Sequence, residues 1–307
     1  ALFIQAGIGI WQFLTQSDIA WKWLGMALHS PAQLGTVVVE GAENGGRWLR
    51  AYGGMSHTNI LGGVLAIGVL ILMGVIVNYG FKKKNFSLFS LISYLLLFTF
   101  ITSLFFTFSR GAWLSLLVGL FVWFVFNYFQ GNKSVSRKLS KVTLFVLMLV
   151  IILSGIFSDL VSTRLSGGGG LEARSNTERV QSLGEAWGVI TKNPLLGAGV
   201  GNYTLALQQE HPDRSVWGYQ PVHNAFLLVW AEIGFIGSFF FVSILAWIAA
   251  ILYQRRDHQG LAILASLLVI LVFEHWIWSL HFGMLFFWFV LGMIYKSGKI
   301  RKRNVGS

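Results

Sequence analysis

The residues best suited to chemistry are arginines and histidines within residues 159–237, a polar, glycine-rich stretch that separates long apolar runs. Guanidinium groups match phosphate oxygens bidentately, and an imidazole titrates near neutrality, as a general base should. Cationic donors beside one imidazole at a membrane face indicate chemistry on an anionic, lipid-linked substrate. The ionisable residues concerned are Arg164, Arg174, Arg179, Arg214, His211 and His223.

Arg179 is the first candidate phosphate ligand. Apolar residues after it recur at spacings of three and four, which predicts a helix that opens near Asn176 or Thr177. A phosphate held by Arg179 near that N-terminus would also be stabilised by the helix field. The alternative is a surface ion pair with Glu178 or Glu185, which would be largely solvated.

Arg110 is the second candidate phosphate ligand. It lies between two apolar runs, in FFTFSRGAWLSLL, and an ionisable residue at such a depth is costly and usually functional. The alternative is that the side chain only snorkels to the outer surface.

His223 is the candidate general base, because it precedes an apolar helix on the same membrane face as Arg110 and Arg179. The alternative is an interfacial histidine that caps or packs. The histidines show no metal-ligand spacing with a carboxylate, so neither a metal nor a cofactor is expected.

Two acidic residues and a glycine turn complete the candidate site. Glu232 is expected to orient His223 or to bind a sugar hydroxyl, and Glu274 to pair with His275 or an arginine. The turn at 197–202 suits close approach of a ligand, although glycines also form turns for purely structural reasons. The residues expected to contact substrate are Arg164, Gly199, Gly201, Asn202, Asn224, Glu232 and His57.

Composition places these residues in a membrane protein. Of the 307 residues, 55% are hydrophobic and 11% are charged, against roughly 25% charged in soluble domains. Apolar runs without polar alternation exclude a β-barrel, so we predict an all-α, polytopic transmembrane bundle. About eight spans are expected, at 1–14, 59–79, 88–108, 111–129, 141–158, 223–252, 260–277 and 280–296.

Charge distribution predicts the orientation. The connections 80–87, 130–140 and 253–259 and the C-terminal tail are basic, which predicts that they are cytoplasmic and that segments 15–58 and 159–222 face outward. The net charge of +11 therefore follows from topology and does not indicate nucleic acid. The absence of cysteine excludes disulfides and thiolate metal sites.

Three regions follow from this organisation: N-terminal spans at 1–158, a large partly helical loop at 159–222, and C-terminal spans with a basic tail at 223–307. A flexible glycine hinge is expected at 167–170, and the loop helix should end before Pro194. Because the chain begins inside an apolar stretch without Met, we expect an N-terminal truncation and missing spans.

Taken in order, these motifs resemble the O-antigen ligase/O-antigen polymerase superfamily of bacterial polytopic membrane proteins. The likeness runs from about residue 45, and the order and loop placement of the motifs are more specific than any one of them. The family usually has about a dozen spans, more than are expected here. The matching segments are 50–59, 109–113, 178–179, 193–202, 223–224 and 230–237.

The resemblance implies a metal-independent glycosyltransferase of the bacterial inner membrane that acts at its outer face. The donor would be an undecaprenyl-diphosphate-linked glycan, and the acceptor a glycan, a glycolipid or a protein. Arg110 and Arg179 fall on the family's diphosphate-binding arginines, and His223 on the histidine that acts at the acceptor. The motifs do not separate ligases, polymerases and protein O-oligosaccharyltransferases.

Two other functions remain open. A transporter or flippase for the same lipid-linked glycan would use the same cationic site without breaking a bond. It would favour paired repeats of broken helices, which the sequence does not show. A non-catalytic membrane scaffold would use the loop to bind a partner, and its histidine and arginines would be replaceable.

Overall fold

The computed structural model describes residues 1–21, 23, 25–41, 46–80, 87–166 and 170–303. The predicted basic connection at 82–84 and most of the predicted glycine hinge, 167–169, lie outside the described residues. The chain divides into two compact units, Ala1–Ala173 and Arg174–Ser307.

Helices dominate the described residues, as the sequence predicts for an α-helical membrane protein. The first unit contains α1 (Leu2–Thr15), α2 (Thr58–Val75), α3 (Leu88–Phe106), α4 (Arg110–Phe129), α5 (Lys133–Ile156) and α6 (Ser158–Ser166). The boundary falls within α7 (Gly170–Lys192), and the second unit continues with α8 (Tyr203–Glu210), α9 (Ala225–Gln254), α10 (His258–Phe273), α11 (Trp276–Ser279) and α12 (His281–Arg303).

Five helices of the described chain are long and apolar enough to cross a membrane: α2 with its continuation to Gly80, and α3, α4, α5 and α9. Three shorter apolar helices, Leu2–Thr15, His258–Phe273 and His281–Lys296, occupy the positions of the other three expected spans. These three helices differ from the five long ones in their length, because a helix needs about 20 residues to span the hydrocarbon core.

Two predicted helix boundaries are wrong. The loop helix α7 begins at Gly170 rather than at Asn176 or Thr177, so Arg179 lies in its third turn and not at its N-terminus. The field of the helix N-terminus therefore does not support an anion at Arg179. The helix α5 begins at Lys133, so the basic residues assigned to the 130–140 connection lie on its first turns.

A short antiparallel hairpin, which the sequence analysis does not predict, accompanies the helices. Its strands are β1 (Val38–Glu40) and β2 (Arg47–Leu49), and Val39 faces Trp48 in the register. The segment that follows β2 returns to α1, where the buried Gln12 side chain accepts from the backbone N–H groups of Tyr52 and Gly53. The side-chain oxygen of Gln12 thus accepts the two N–H groups that a neighbouring strand would otherwise bind.

Stacked aromatic rings and close helix contacts build the core of the first unit. Phe13 stacks on Phe106, with ring centroids 4.0 Å apart. Gly62 lets α2 approach α4, because a Cβ there would lie 2.9 Å from the Cβ of Ala112. Close helix contact through a small residue is usual in membrane bundles.

The second unit is organised by a break in α9. Gly234 interrupts the helix with φ 67° and ψ −176°, a conformation that only glycine adopts readily. The 194–199 turn lies against the break: the N–H of Phe235 donates to the Pro194 carbonyl at 2.8 Å, and that of Gly199 donates to the Glu232 carbonyl at 2.9 Å. The turn therefore replaces helical hydrogen bonds that the break removes.

Replacing Gly234 or Gly197 with alanine should destabilise the second unit. A Cβ at Gly234 would overlap the Leu195 carbonyl, and one at Gly197 would overlap the Glu232 carbonyl. We expect a loss of at least about 2 kcal/mol for each variant, from positive-φ strain and overpacking, measured by thermal unfolding in detergent. Gly184→Ala in α7 is the control, since nothing lies within 4 Å of its added Cβ, and a stability equal to that control would contradict this account.

Candidate functional site

The second unit brings Arg179 and His223 to one carboxylate. Glu274 Oε1 lies 3.7 Å from Nη2 of Arg179, and Glu274 Oε2 lies 3.9 Å from Nδ1 of His223. The Glu274 side chain is only 9% exposed, against 31% for Arg179 and 29% for His223. The guanidinium and the imidazole therefore face the same partly open space above a buried anion.

His223 is held at the start of α9. The next residue, Asn224, is the N-cap, and its Oδ1 accepts the N–H of Leu227 at 3.0 Å. This cap satisfies one of the free N–H groups of the first turn. The predicted substrate contact Asn224 thus has a structural role beside the imidazole.

Glu274 lies in the break between α10 and α11. Its backbone is extended, with φ −142° and ψ 150°, so its side chain leaves the helical path. Gly283 permits the turn that follows, because a Cβ there would overlap the carbonyl oxygen of Trp276. The single turn of α11 then places His275 at one end and Trp278 near the other.

Arg179 is carried by α7, whose later turns pack into a buried apolar cluster. Its members are Ala186, Val189, Ile190, Tyr203, Leu207, Val222, Leu228 and Ala231. The ion pairs first considered for Arg179 go elsewhere: Glu178 pairs with Arg174 at 2.8 Å, and Glu185 with Arg214 at 2.7 Å. The cluster joins α7 to α8 and α9, and so fixes the helix that presents Arg179.

Glu232 does not orient His223. Its carboxylate is buried, and Oε2 accepts the indole N–H of Trp278 at 2.8 Å. The buried acid that faces the imidazole is Glu274. Glu274 also pairs with Arg179, one of the two partners that the sequence predicts for it, and a contact of Glu232 with a sugar hydroxyl stays a prediction.

The glycines of the predicted ligand turn support backbone packing. Gly199 has φ 98° and Gly201 has φ 76°, and the N–H of Gly199 is used by the α9 break. Asn202 is exposed and donates through Nδ2 to the Ala198 carbonyl at 3.3 Å. Substrate contact at these positions stays a prediction.

Arg110, Arg164 and His57 lie in the first unit. Arg110 is the first residue of α4 and is half-buried. Nε of the buried Arg164 donates to the Phe108 carbonyl at 2.8 Å, and Phe108 is separated from Arg110 only by Ser109. His57 caps α2, where its Nδ1 accepts the N–H of Asn59 at 3.0 Å.

Comparison with known families finds one match. Residues 95–242, just under half of the chain, match the family model described as O-antigen ligase. This match supports the resemblance to the O-antigen ligase/O-antigen polymerase superfamily. No curated protein matches the chain. The matched segment includes Arg110, Arg179 and His223 and excludes Glu274.

Members of this superfamily are membrane glycosyltransferase-like ligases, and the electrostatics around His223 suit a base that is neutral before reaction. Burial, the Arg179 guanidinium and His275 lower the pKa of His223 from 6.5 to about 3. Burial and Arg179 lower the pKa of His275 to about 4. Both imidazoles are therefore uncharged at pH 7, and their ring centroids lie 5.1 Å apart.

Sequence reasoning underrated Glu274 and His275. Nδ1 of His275 lies 2.7 Å from the Ser279 hydroxyl, and this contact holds the ring of His275 in place beside His223. The available signal was two adjacent ionisable residues in an apolar run, a combination that usually marks function in a membrane protein. Among the described residues, no group of three His, Asp or Glu is arranged to hold a metal ion.

Acid should destabilise the second unit through these histidines. Because the folded-state pKa of His223 lies below its unfolded value of 6.5, the folded state binds fewer protons, and stability falls as pH drops from about 6.5 toward 3. We expect the Tm in detergent to fall between pH 7 and pH 5, and to fall less in His223→Gln. The same fall in Tm with pH in the wild type and in His223→Gln would contradict the assigned pKa.

Proposed function

We propose that this protein is a glycosyltransferase that moves a glycan from an undecaprenyl-diphosphate-linked donor to an acceptor hydroxyl at the outer face of the bacterial inner membrane. The match to the O-antigen ligase family model supports the class of reaction. The observation that carries the residue assignment is the shared carboxylate: Arg179 lies 3.7 Å from one oxygen of Glu274, and His223 lies 3.9 Å from the other.

The reaction proceeds by direct displacement. The acceptor oxygen attacks the anomeric carbon, the bond from that carbon to the diphosphate oxygen breaks, and the lipid diphosphate leaves with the electron pair. His223 takes the acceptor proton, so one bond forms as one breaks and the anomeric configuration inverts. Arg179 and Arg110 stabilise the charge that develops on the diphosphate, the kind of electrostatic stabilisation that is usually the largest catalytic contribution.

A neutral imidazole fits this role. At neutral pH the ring of His223 is ready to accept a proton, but its low pKa makes it a weak base in the empty site. A bound diphosphate places negative charge beside Arg179 and so raises the pKa of His223 toward its ordinary value. The donor therefore activates the base that its own transfer requires.

The remaining expected contacts belong to the same proposal. Arg164, Gly199, Gly201, Asn202, Asn224, Glu232 and His57 would line the donor and acceptor paths, with the 159–222 loop on the extracytoplasmic side. The partners would be the lipid-linked glycan, an acceptor glycan, glycolipid or protein, and surrounding lipids. No cofactor or metal takes part, because arginines supply the positive charge.

Activity should survive chelation and depend on the three side chains. Purified protein should release undecaprenyl diphosphate from an undecaprenyl-diphosphate-linked glycan in excess EDTA. His223→Ala, Arg179→Ala and Arg110→Ala should each lower kcat/KM at least about 100-fold, since each loses a charge or proton transfer made in the transition state.

Arg174→Ala is the matched control for Arg179→Ala. Arg174 lies on the same helix, but its side chain is 77% exposed and pairs with Glu178, so the variant should retain near wild-type activity. A flippase would move the intact lipid-linked glycan and release no diphosphate. Full activity of folded His223→Ala would exclude the assigned base.

Orientation is testable because the chain has no cysteine. Single cysteines at Asp213, exposed in the loop, and at Gln130, exposed after α4, should react differently with a membrane-impermeant maleimide on intact cells. Asp213→Cys should be labelled and Gln130→Cys should be protected until the membrane is opened. The reverse pattern would place the proposed site in the cytoplasm.

A further inference from the structure

One exposed side of α7 is apolar. Val180, Leu183 and Trp187 follow one another at spacings of three and four residues, so they lie in one row along the helix. Each of these three residues is between 43% and 69% exposed. We call this row the α7 apolar stripe. A contiguous row of exposed apolar side chains marks an interaction surface.

Charged residues lie on the opposite side of α7. Arg174, Glu178, Glu185 and Lys192 recur at spacings of four and seven residues, which aligns them along the helix. Because Leu183 and Glu185 are two residues apart, about 200° separates their positions around the helix. The buried cluster occupies a third side. A helix with one apolar and one charged exposed side suits the plane of a membrane interface.

The stripe continues onto the helix α9. Trp187 packs edge to face on Trp230, with ring centroids 5.7 Å apart, and Trp230 lies 6.2 Å from the ring of Phe235. Phe235 and Phe239, one turn apart, are exposed on a helix that is long and apolar enough to cross a membrane. Exposed apolar side chains of such a helix face lipid. The stripe and the lipid-facing side of α9 are therefore one continuous apolar surface within the second unit.

The break in α9 indicates the depth of this surface. After Gly234 the helix runs from Phe235 to Gln254, about the 20 residues that are needed to cross the hydrocarbon core. The earlier turns, residues 225–233, then lie at the level of the lipid headgroups. Trp230 belongs to these turns, and tryptophan is enriched at this level. Because α7 packs on Trp230, its apolar stripe lies at the same level.

We propose that α7 is an interfacial helix whose apolar stripe inserts into the lipid leaflet at which α9 begins. The partner is the phospholipid bilayer itself, because the stripe is continuous with a surface that already faces lipid. The charged side of α7 then faces water, and the helix lies along the membrane surface. Insertion holds Arg179, the residue before Val180, at the level of the lipid phosphates. This inference is independent of the proposed chemistry.

A spin label on a single cysteine tests this placement, since the chain has no cysteine of its own. Leu183→Cys is labelled with a nitroxide and reconstituted in vesicles of phosphatidylethanolamine and phosphatidylglycerol. The label should collide more often with oxygen, which concentrates in lipid, than with a water-soluble nickel chelate. Gln181→Cys, exposed on the charged side two residues away, is the matched control and should show the reverse preference. Equal access of the nickel chelate to both labels would overturn the proposal.

Other occupants of the stripe would give different results. A second copy of the chain on the stripe would shield the Leu183→Cys label from oxygen and from the nickel chelate alike. The polyprenyl tail of a donor would make the surroundings of the label lipid-like only after the donor was added, because these vesicles contain no polyprenyl lipid. Either result would overturn the proposal.

A second pair of variants tests whether the stripe itself holds α7 in the bilayer. In protein labelled at Val180→Cys, the further change Leu183→Asp places a charge in the stripe and should expose the label to the nickel chelate, because a buried charge is costly. Gln181→Asp in the same labelled protein should leave the label in lipid. A label that stays in lipid in Leu183→Asp would overturn the proposal. These readouts do not depend on glycan transfer, so the proposed function and this inference are judged separately.

Discussion

The second unit depends on how the broken backbone of α9 is satisfied. In a membrane every free N–H and C=O must find a partner inside the protein, and Gly234 removes helical partners within the longest apolar helix of the described chain. The 194–199 turn supplies replacements through its own backbone. Because α7 leads directly into that turn, the same hydrogen bonds fix the helix that carries Arg179 against the helix that follows His223. A local defect in one helix thereby sets the geometry of the candidate site.

Two buried carboxylates near this break have different partners. Glu232 receives a neutral indole N–H, which satisfies it without a counterion. Glu274 faces a guanidinium and an imidazole, and so depends on charge. These contacts tie Glu232 to the single turn of α11 and bring Glu274 to the two side chains proposed to act on the donor and the acceptor.

Much of the fold could be predicted from apolar periodicity, and less of the site. Apolar runs located the helices well, and Pro194 marked the end of α7 correctly. The start of α7 was missed because Gly170 is a poor helix former, yet the helix extends to it. Glu232 was expected beside His223 because it lies close to the predicted outer face. The return of the chain through α10 and α11 brings Glu274 to the imidazole instead, and no local pattern encodes that contact. Arg110 and Arg164 belong to the first unit, and their place in the site stays a prediction from sequence position.

The low pKa of His223 follows from the same charges that would bind the donor. Burial and Arg179 both oppose protonation of the ring, so an empty site holds a base that is neutral but weak. Any anion strong enough to occupy Arg179 reduces one of these two effects. Basicity would then rise only when a diphosphate is present, which would limit proton removal to hydroxyls that meet a bound donor. In such a site, substrate recognition and activation of the base are two consequences of one electrostatic balance.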